Sequence, residues 1–277
     1  MKLRRPLPEG RTLESVRHHY EVEKRLAARL RASTREERSA ILRSMYDELF
    51  AEVPDHPRLT KRADEARTRA SNARKWRVLE GLVGPETVYA EFGPGDSSFA
   101  LEVAGRARLV YAIDVSDQRA ESESSPENFR HVAYDGYTLD LAEGSVDVVY
   151  SDQLLEHIHP DDTVAHLKLA RRILGTGGVY VFRTPHAFSG PHDVSKFFSD
   201  VPEGFHLKEW TYREMSDAVR RAGFRSIGAY WQLKGHPLRL PLVLIEAFEA
   251  TLGALPRALR ATLSSRLLTQ VFMAAYA

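Results

Sequence analysis

Two apolar runs, each carrying an acid at its end and separated by a glycine turn, constrain this chain more than any other feature. Val88-Tyr89-Ala90-Glu91-Phe92 leads into Gly93-Pro94-Gly95-Asp96-Ser97-Ser98. A short helical pattern covers residues 99–104, and Val110-Tyr111-Ala112-Ile113 then ends in Asp114, nineteen residues after Gly95. The order predicts strand, turn, helix, strand. Glycine accepts positive φ and lets backbone approach a ligand more closely than any side chain would permit. The helix behind the turn offers free amide groups to an anionic moiety. An acid closing the second strand can accept both hydroxyls of a ribose. Together these features name a ligand class, a nucleoside cofactor.

A dinucleotide fingerprint asks for G-x-G-x-x-G with a third small residue. Here that position is Ser98, and Pro94 stiffens the space between the glycines. A carboxylate at Glu91 would repel a pyrophosphate and suits a ligand with an ammonium group. At these residues the chain resembles the class I S-adenosylmethionine-dependent methyltransferases, whose first motif reads acid, any residue, Gly, any residue, Gly. The family's usual third glycine is Ser97 here. The continuation keeps the family's order. Asp135-Gly136 follows an apolar run at 129–133. Asp152-Gln153-Leu154-Leu155-Glu156-His157 resembles the fourth motif of the small-molecule branch, with its Leu-Glu-His ending. Arg172-Ile173-Leu174-Gly175-Thr176-Gly177-Gly178 then leads into Val179-Tyr180-Val181-Phe182, like the family's helix, glycine turn and fifth strand.

The resemblance spans roughly residues 85–230. It implies an α/β Rossmann-like fold: a mostly parallel seven-stranded sheet with helices on both faces and an antiparallel last strand. It implies S-adenosylmethionine as cofactor, with Gly93 and Gly95 along the methionine part and Glu91 near its ammonium. Asp114 would hold the ribose with Val115 beside it, Asp135 and Gly136 the adenine, and Asp152 and Gln153 the methyl side. A nicotinamide dehydrogenase is the rival that the glycine loop alone would allow.

Before the first strand the pattern is helical. Leu13, Val16, Tyr20, Ala27 and Leu30 recur near the helix period, and Thr34-Arg35-Glu36-Glu37 is a capping box. The helix it opens carries Ile41, Leu42, Met45, Leu49 and Phe50 on one side and ends at Val53-Pro54, because proline cannot continue the backbone ladder. A third helix is expected over 61–82. Strands are expected near 87–92, 109–114, 129–133, 146–151, 178–184, 225–231 and 269–276. The division is therefore a helical extension over 1–84, a lid or substrate wall, and a core over 85–277. Residues 233–266 form a helical insertion before the last strand, with an apolar stripe of Leu240, Val243, Leu244, Ala247, Phe248 and Leu252. That stripe would pack on the core, meet a second copy or rest on a membrane surface.

The net charge of +1 conceals a division. Residues 1–80 hold 20 Lys and Arg against 13 Asp and Glu, residues 81–232 hold 14 against 23, and residues 233–277 hold 5 against 2. Basic ends flanking an acidic core would serve nucleic acid or an anionic membrane, or would complement the core within one molecule. No cysteine is present, which removes disulfides and thiolate metal sites. The basic start lacks the apolar core of a secretory signal and no run is clean enough to span a bilayer, so the expected location is cytoplasmic. The oligomeric state stays open.

Methyl transfer is an in-line displacement, in which most of the catalysis is alignment. A hydroxyl acceptor must also lose a proton, and a histidine suits that task at neutral pH. His157 follows the fourth strand and faces the acceptor in the resembled branch. A second cluster, from Pro185-His186 through His192-Asp193 to Phe205-His206-Leu207-Lys208, resembles a segment of methyltransferases of glycan biosynthesis. His192 and His206 would there bind acceptor hydroxyls. His186, His192, Asp193 and His206 are metal-ligating types, but their spacing matches no standard motif, and no metal is assigned. The Asn/Asp-Pro-Pro-aromatic tetrad of many amino-group methyltransferases is replaced by Ser151-Asp152-Gln153-Leu154. This favours oxygen over nitrogen, and a sugar, glycan precursor or related small metabolite over nucleic acid. A cofactor-binding module without transfer activity is a further rival.

Overall fold

Threonines open the first two helices. The Thr12 side chain accepts the Ser15 amide ahead of α1 (Leu13–Ala32), and Thr34 with Glu37 forms the expected capping box ahead of α2 (Arg35–Glu52). The computed structural model describes residues 3–61, 65–115, 125–233 and 236–277. Val16, Tyr20, Ala27 and Leu30 are buried along α1 as their spacing predicts, whereas Leu13 is exposed. Val22, Leu26, Ala27 and Leu30 pack with Met45 and Leu49 of α2 and with the distant Phe205 and Leu207. The expected third helix is two pieces, α3 (Pro57–Lys61) and α4 (Glu65–Leu79). Residues 62–64 of that expectation lie outside the described residues. The helix ends at Leu79, earlier than expected, and Gly81 turns the chain with φ +77°.

The central elements follow in the predicted order: β1 (Val88–Phe92), α5 (Ser98–Ala104), β2 (Leu109–Asp114), β3 (Phe129–Ala133), β4 (Val146–Asp152), α6 (Thr163–Ile173) and β5 (Leu174–Pro185). After them come α7 (Tyr212–Arg221), β6 (Ser226–Leu233), β7 (His236–Leu240), α8 (Leu242–Gly253), α9 (Arg257–Leu267) and β8 (Gln270–Tyr276). The sheet order is β3-β2-β1-β4-β5-β8-β6-β7. Strands β3 through β5 are parallel, and β8 runs antiparallel between β5 and β6. Side chains alternate between two cores. Ala90, Phe92, Val149, Tyr180 and Phe182 fill one face, while Tyr89, Val148, Tyr150, Val179 and Val181 fill the other. That is why these strands read as unbroken apolar runs.

Among the described residues the sheet has eight strands where seven were expected. Residues 236–240 of the supposed helical insertion pair antiparallel with β6 as an edge strand. Pro237 sits there without cost, since an edge strand need not donate every amide. The insertion's stripe also shifts: Ile245, Glu249 and Leu252 face inward while Val243 and Leu244 are exposed. The buried acid is explained by its partners. Glu249 accepts from the His186 ring and from the amides of Tyr212 and Arg213, capping the start of α7. No helix among the described residues is long and apolar enough to cross a membrane.

Candidate active site

The chain leaves β1 towards β2 and β3 on one side, then returns to β4 on the other. Diverging loops at such a switch point leave a crevice at the carboxyl ends of the strands. A cavity of about 520 Å³ lies there, walled by Gly93, Gly95, Asp114, Val115, Gly136, Asp152, Gln153 and His157 among others. Eight of the residues read from the sequence thus meet in one place.

The loop after β1 owes its shape to three left-handed residues, Gly93 (φ +66°), Gly95 (φ +63°) and Ser97 (φ +60°). A Cβ on Gly93 would come within 3.1 Å of Leu154, whereas one on Gly95 would meet nothing, so bare backbone faces open space there. Ser97 holds the same backbone region with a side chain, at a cost of about 1–2 kcal/mol, where the resembled family has glycine. Asp114 ends β2 and accepts the Val115 amide at 2.7 Å and the Gly95 amide at 3.4 Å, tying the two loops together. Gln153, after β4, is likewise left-handed at φ +58°. Its neighbour Asp152 receives two hydrogen bonds from Arg183, at 3.1 and 2.5 Å.

Two sequence assignments change. Glu91 is 1% exposed and lies behind the cavity wall, accepting from Tyr89 Oη at 3.1 Å and Lys75 Nζ at 3.4 Å. Burial raises its pKa, and Lys75 works against the rise. The group facing the cavity is therefore Lys75 of α4, which sequence reasoning missed. The Asp135 carboxylate is engaged by its own turn, accepting from the Tyr137 and Thr138 amides and the Thr138 hydroxyl. Gly136 and Tyr137 form the wall in its place.

The opposite wall comes from the N-terminal helices through Leu30, Arg38, Leu42, Tyr46 and Arg58. A buried Arg38–Asp162 pair at 2.7 Å, joined by the Tyr137 hydroxyl at 2.8 Å, ties α2 to the loops after β3 and β4. Leu42 lies so close to Gly136 that an added Cβ would approach it to 3.0 Å. Arg31 donates to the carbonyls of Pro202, Glu203, Gly204 and His206, holding α1 on the segment after β5.

His157 sits between these walls. Its Nδ1 lies 2.9 Å from the Phe205 carbonyl oxygen. A carbonyl only accepts, so Nδ1 carries the proton and Nε2 keeps a lone pair. Burial, then the positive charges of His206 and Arg58, hold the His157 pKa well below the usual histidine value. His192 and His206 do not line the cavity. His192 bonds the Ser189 hydroxyl at 2.9 Å. His206 bonds Glu209 at 2.8 Å and packs edge-on against His157, with ring centroids 5.1 Å apart. Burial opposes the charged form of His206, but Glu209, Glu156 and Asp193 outweigh it and its pKa is raised. Beside it, burial lifts the Glu156 carboxyl to about 7.

Two buried clusters carry metal-ligating residue types, His19–Glu23–His56 and Glu156–His157–His206. In the first, Nδ1 of His19 faces the Arg11 guanidinium and Nδ1 of His56 accepts the Arg58 amide. Both Nε2 atoms therefore carry protons directed at Glu23, and no lone pairs converge. In the second, Nδ1 of His206 carries the proton it donates to Glu209, and the carboxylates around it favour its charged form.

Residues 90–182 match the family described as "Methyltransferase domain". The overall fold is the α/β Rossmann-like fold found in methyltransferases. An S-adenosylmethionine-dependent methyltransferase from Mesorhizobium loti aligns with 75% of this chain and 99% of its own, at 19% identity and TM-score 0.53. A 1,6-didemethyltoxoflavin-N1-methyltransferase from Burkholderia thailandensis, solved with its substrate and S-adenosylhomocysteine, aligns with 88% of this chain and 90% of its own, at 19% identity and TM-score 0.55. Phosphoethanolamine N-methyltransferase 1 from Haemonchus contortus covers 86% of this chain with 49% of its own, at 15% identity and TM-score 0.55. At such identities the likeness is one of fold. No curated protein matches the sequence.

A methyltransferase domain uses S-adenosylmethionine, and the residues present here fit it. Asp114 offers a carboxylate at the end of β2, Gly95 offers open backbone, and Phe92, Ile113, Tyr134 and Leu154 supply apolar wall.

Proposed function

We propose that this protein transfers a methyl group from S-adenosylmethionine to a hydroxyl of a small polar acceptor, a sugar, glycan precursor or related metabolite. The observation that carries the reading is His157: a neutral imidazole with a preset tautomer, its Nε2 lone pair unclaimed among the described residues, in the wall of a small-molecule-sized cavity. When bound, the cofactor supplies a methyl carbon made electrophilic by a sulfonium. The chain supplies the rest. Asp114 accepts the ribose hydroxyls, the Gly93–Gly95 backbone runs along the methionine part, and Lys75 offers its ammonium to the carboxylate end. Gly136 and Tyr137 form the adenine side, and Asp152, held by Arg183, and Gln153 form the methyl side. Nε2 of His157 would take the proton that the acceptor hydroxyl sheds. His206 positions His157 by ring packing, and His192 lies one layer further out.

Two features support a small acceptor over a nucleic acid. The N-terminal helices wall the cavity, and part of their basic charge is neutralised by carboxylates. Arg11 pairs with Asp55, Arg25 with Glu52, Arg29 with Glu48 and Arg38 with Asp162. Incubation with a labelled methyl donor and a panel of hydroxylated metabolites, with mass spectrometry of the product, tests the reading. A methyl ether is expected. Methyl on nitrogen or carbon overturns the acceptor assignment, and failure to bind S-adenosylhomocysteine in calorimetry overturns the enzyme assignment.

A further inference from the structure

Among the described residues, the acceptor side of the cavity holds a cation without an ion-pair partner. Arg58, on α3, lines the cavity and its side chain is open to it. The guanidinium lies over the Tyr46 ring, 5.3 Å from the centroid. Unlike Arg11, Arg25, Arg29 and Arg38, it has no carboxylate within ion-pair distance among the described residues.

The acids around it are committed elsewhere. Glu23 accepts from His19 at 2.7 Å and from the Phe205 amide at 3.2 Å. Glu156 accepts the Thr184 hydroxyl at 3.0 Å, and its high pKa leaves it only partly charged at neutral pH. Desolvation is the largest influence on Arg58 and opposes its charge. Tyr46, Glu23 and Glu156 outweigh it, so the guanidinium stays charged. A surface arginine without a partner is ordinary, because water satisfies it. One inside a ligand cavity, with a rigid fork of donors suited to a planar or tetrahedral oxyanion, reads as half of an interaction.

We propose that the methyl acceptor is itself an anion, a small hydroxylated molecule bearing a carboxylate or a phosphate. Arg58 holds that group beside the Tyr46 ring while the hydroxyl to be methylated faces His157. Arg58 is thus a specificity-determining residue, and the proposal rests on the methyltransferase reading above.

The acceptor need not be identified for the test to work. The full chain is incubated with methyl-labelled S-adenosylmethionine and a small-metabolite extract, and labelled product is fractionated by anion exchange at neutral pH. Label is expected in the retained fraction. Phosphatase treatment that releases it identifies a phosphate monoester, and resistance identifies a carboxylate. Arg58→Gln should cut labelling at low acceptor concentration by about tenfold to a hundredfold, through KM more than kcat. Arg58→Lys should restore part of it, and affinity for S-adenosylhomocysteine should hold in both. Label in the unretained fraction, or undiminished labelling by Arg58→Gln, overturns the proposal.

Should the extract yield no label, inorganic phosphate and acetate serve as probes on the chain saturated with S-adenosylhomocysteine. A thermal shift in the wild type that Arg58→Gln lacks supports the site. Equal shifts, or none, overturn it. Absent S-adenosylhomocysteine binding sinks the enzyme reading instead, and the phosphate and acetate shifts still report on Arg58.

Discussion

The two walls of the cavity were built by different routes. The wall proposed for the cofactor comes from loops at strand ends, with Gly93, Gly95, Asp114, Gly136 and Gln153 each placed by the strand before it. The wall proposed for the acceptor comes from Leu30, Arg38, Leu42, Tyr46 and Arg58, which lie on helices preceding the sheet and reach the cavity only by packing across it. A strand end carries its loop wherever the sheet forms. A helix wall exists only while it is clamped. The first should therefore tolerate loss of stability in the N-terminal layer, and the second should not.

The sharpest test joins the walls at His157. His157→Ala should lower kcat/KM by about 10²–10⁴-fold while calorimetric affinity for S-adenosylhomocysteine holds. Because the His157 pKa is depressed, chiefly by burial, the base form persists as pH falls. The wild-type rate should stay level through the usual histidine range and drop only in stronger acid. A rate that halves near the ordinary histidine pKa of about 6.5 would remove His157 as the base.

Arg38→Ala removes one partner of a buried ion pair and should cost about 3 kcal/mol of stability. Hydrogen exchange should rise in α2 and around Tyr137, with the central strands still protected. Uniform exchange across both regions would erase the distinction between the walls. Asp114→Ala acts on the cofactor wall alone. Two lost hydrogen bonds to a carboxylate, about 1.5 kcal/mol each, should weaken S-adenosylhomocysteine binding about a hundredfold, and unchanged affinity would break the ribose assignment.

The smallest effect concerns Glu156, beneath the acceptor wall. Its pKa in the folded chain is about 7, above the ordinary 4.5. A raised carboxyl adds stability that is complete below its unfolded pKa and is lost as pH climbs through the folded one. Between about pH 5 and about pH 8, wild-type Tm should therefore fall relative to Glu156→Gln. Parallel Tm profiles would show that Glu156 ionises normally.

Most of the sheet was legible because apolar runs at strand spacing, and glycines at their ends, are local signals. The expected strand over 109–114 coincides with β2, and that over 129–133 with β3. The strand at 236–240 was not legible, since its pairing depends on the β6 edge. Asp135 read as a ligand residue because its position in the order was right. Nothing in the string showed that its carboxylate would bond the Thr138 and Tyr137 amides. Lys75 and Arg58 gave no signal either: each is one more basic residue in a basic region until a tertiary contact singles it out.

By itself, then, the sequence determined the strand order, the glycine loop, the acid closing β2 and the placement of His157 after β4. All of these follow from backbone preferences acting over a few residues. Only the tertiary structure decided which nitrogen of His157 holds the proton, which carboxylates are already engaged, and that Arg58 faces the cavity. Those outcomes depend on Phe205, Arg183, Tyr137 and Glu23, partners far away along the chain. Hydrogen bonds and charges answer to distance in space, and local pattern carries no record of it.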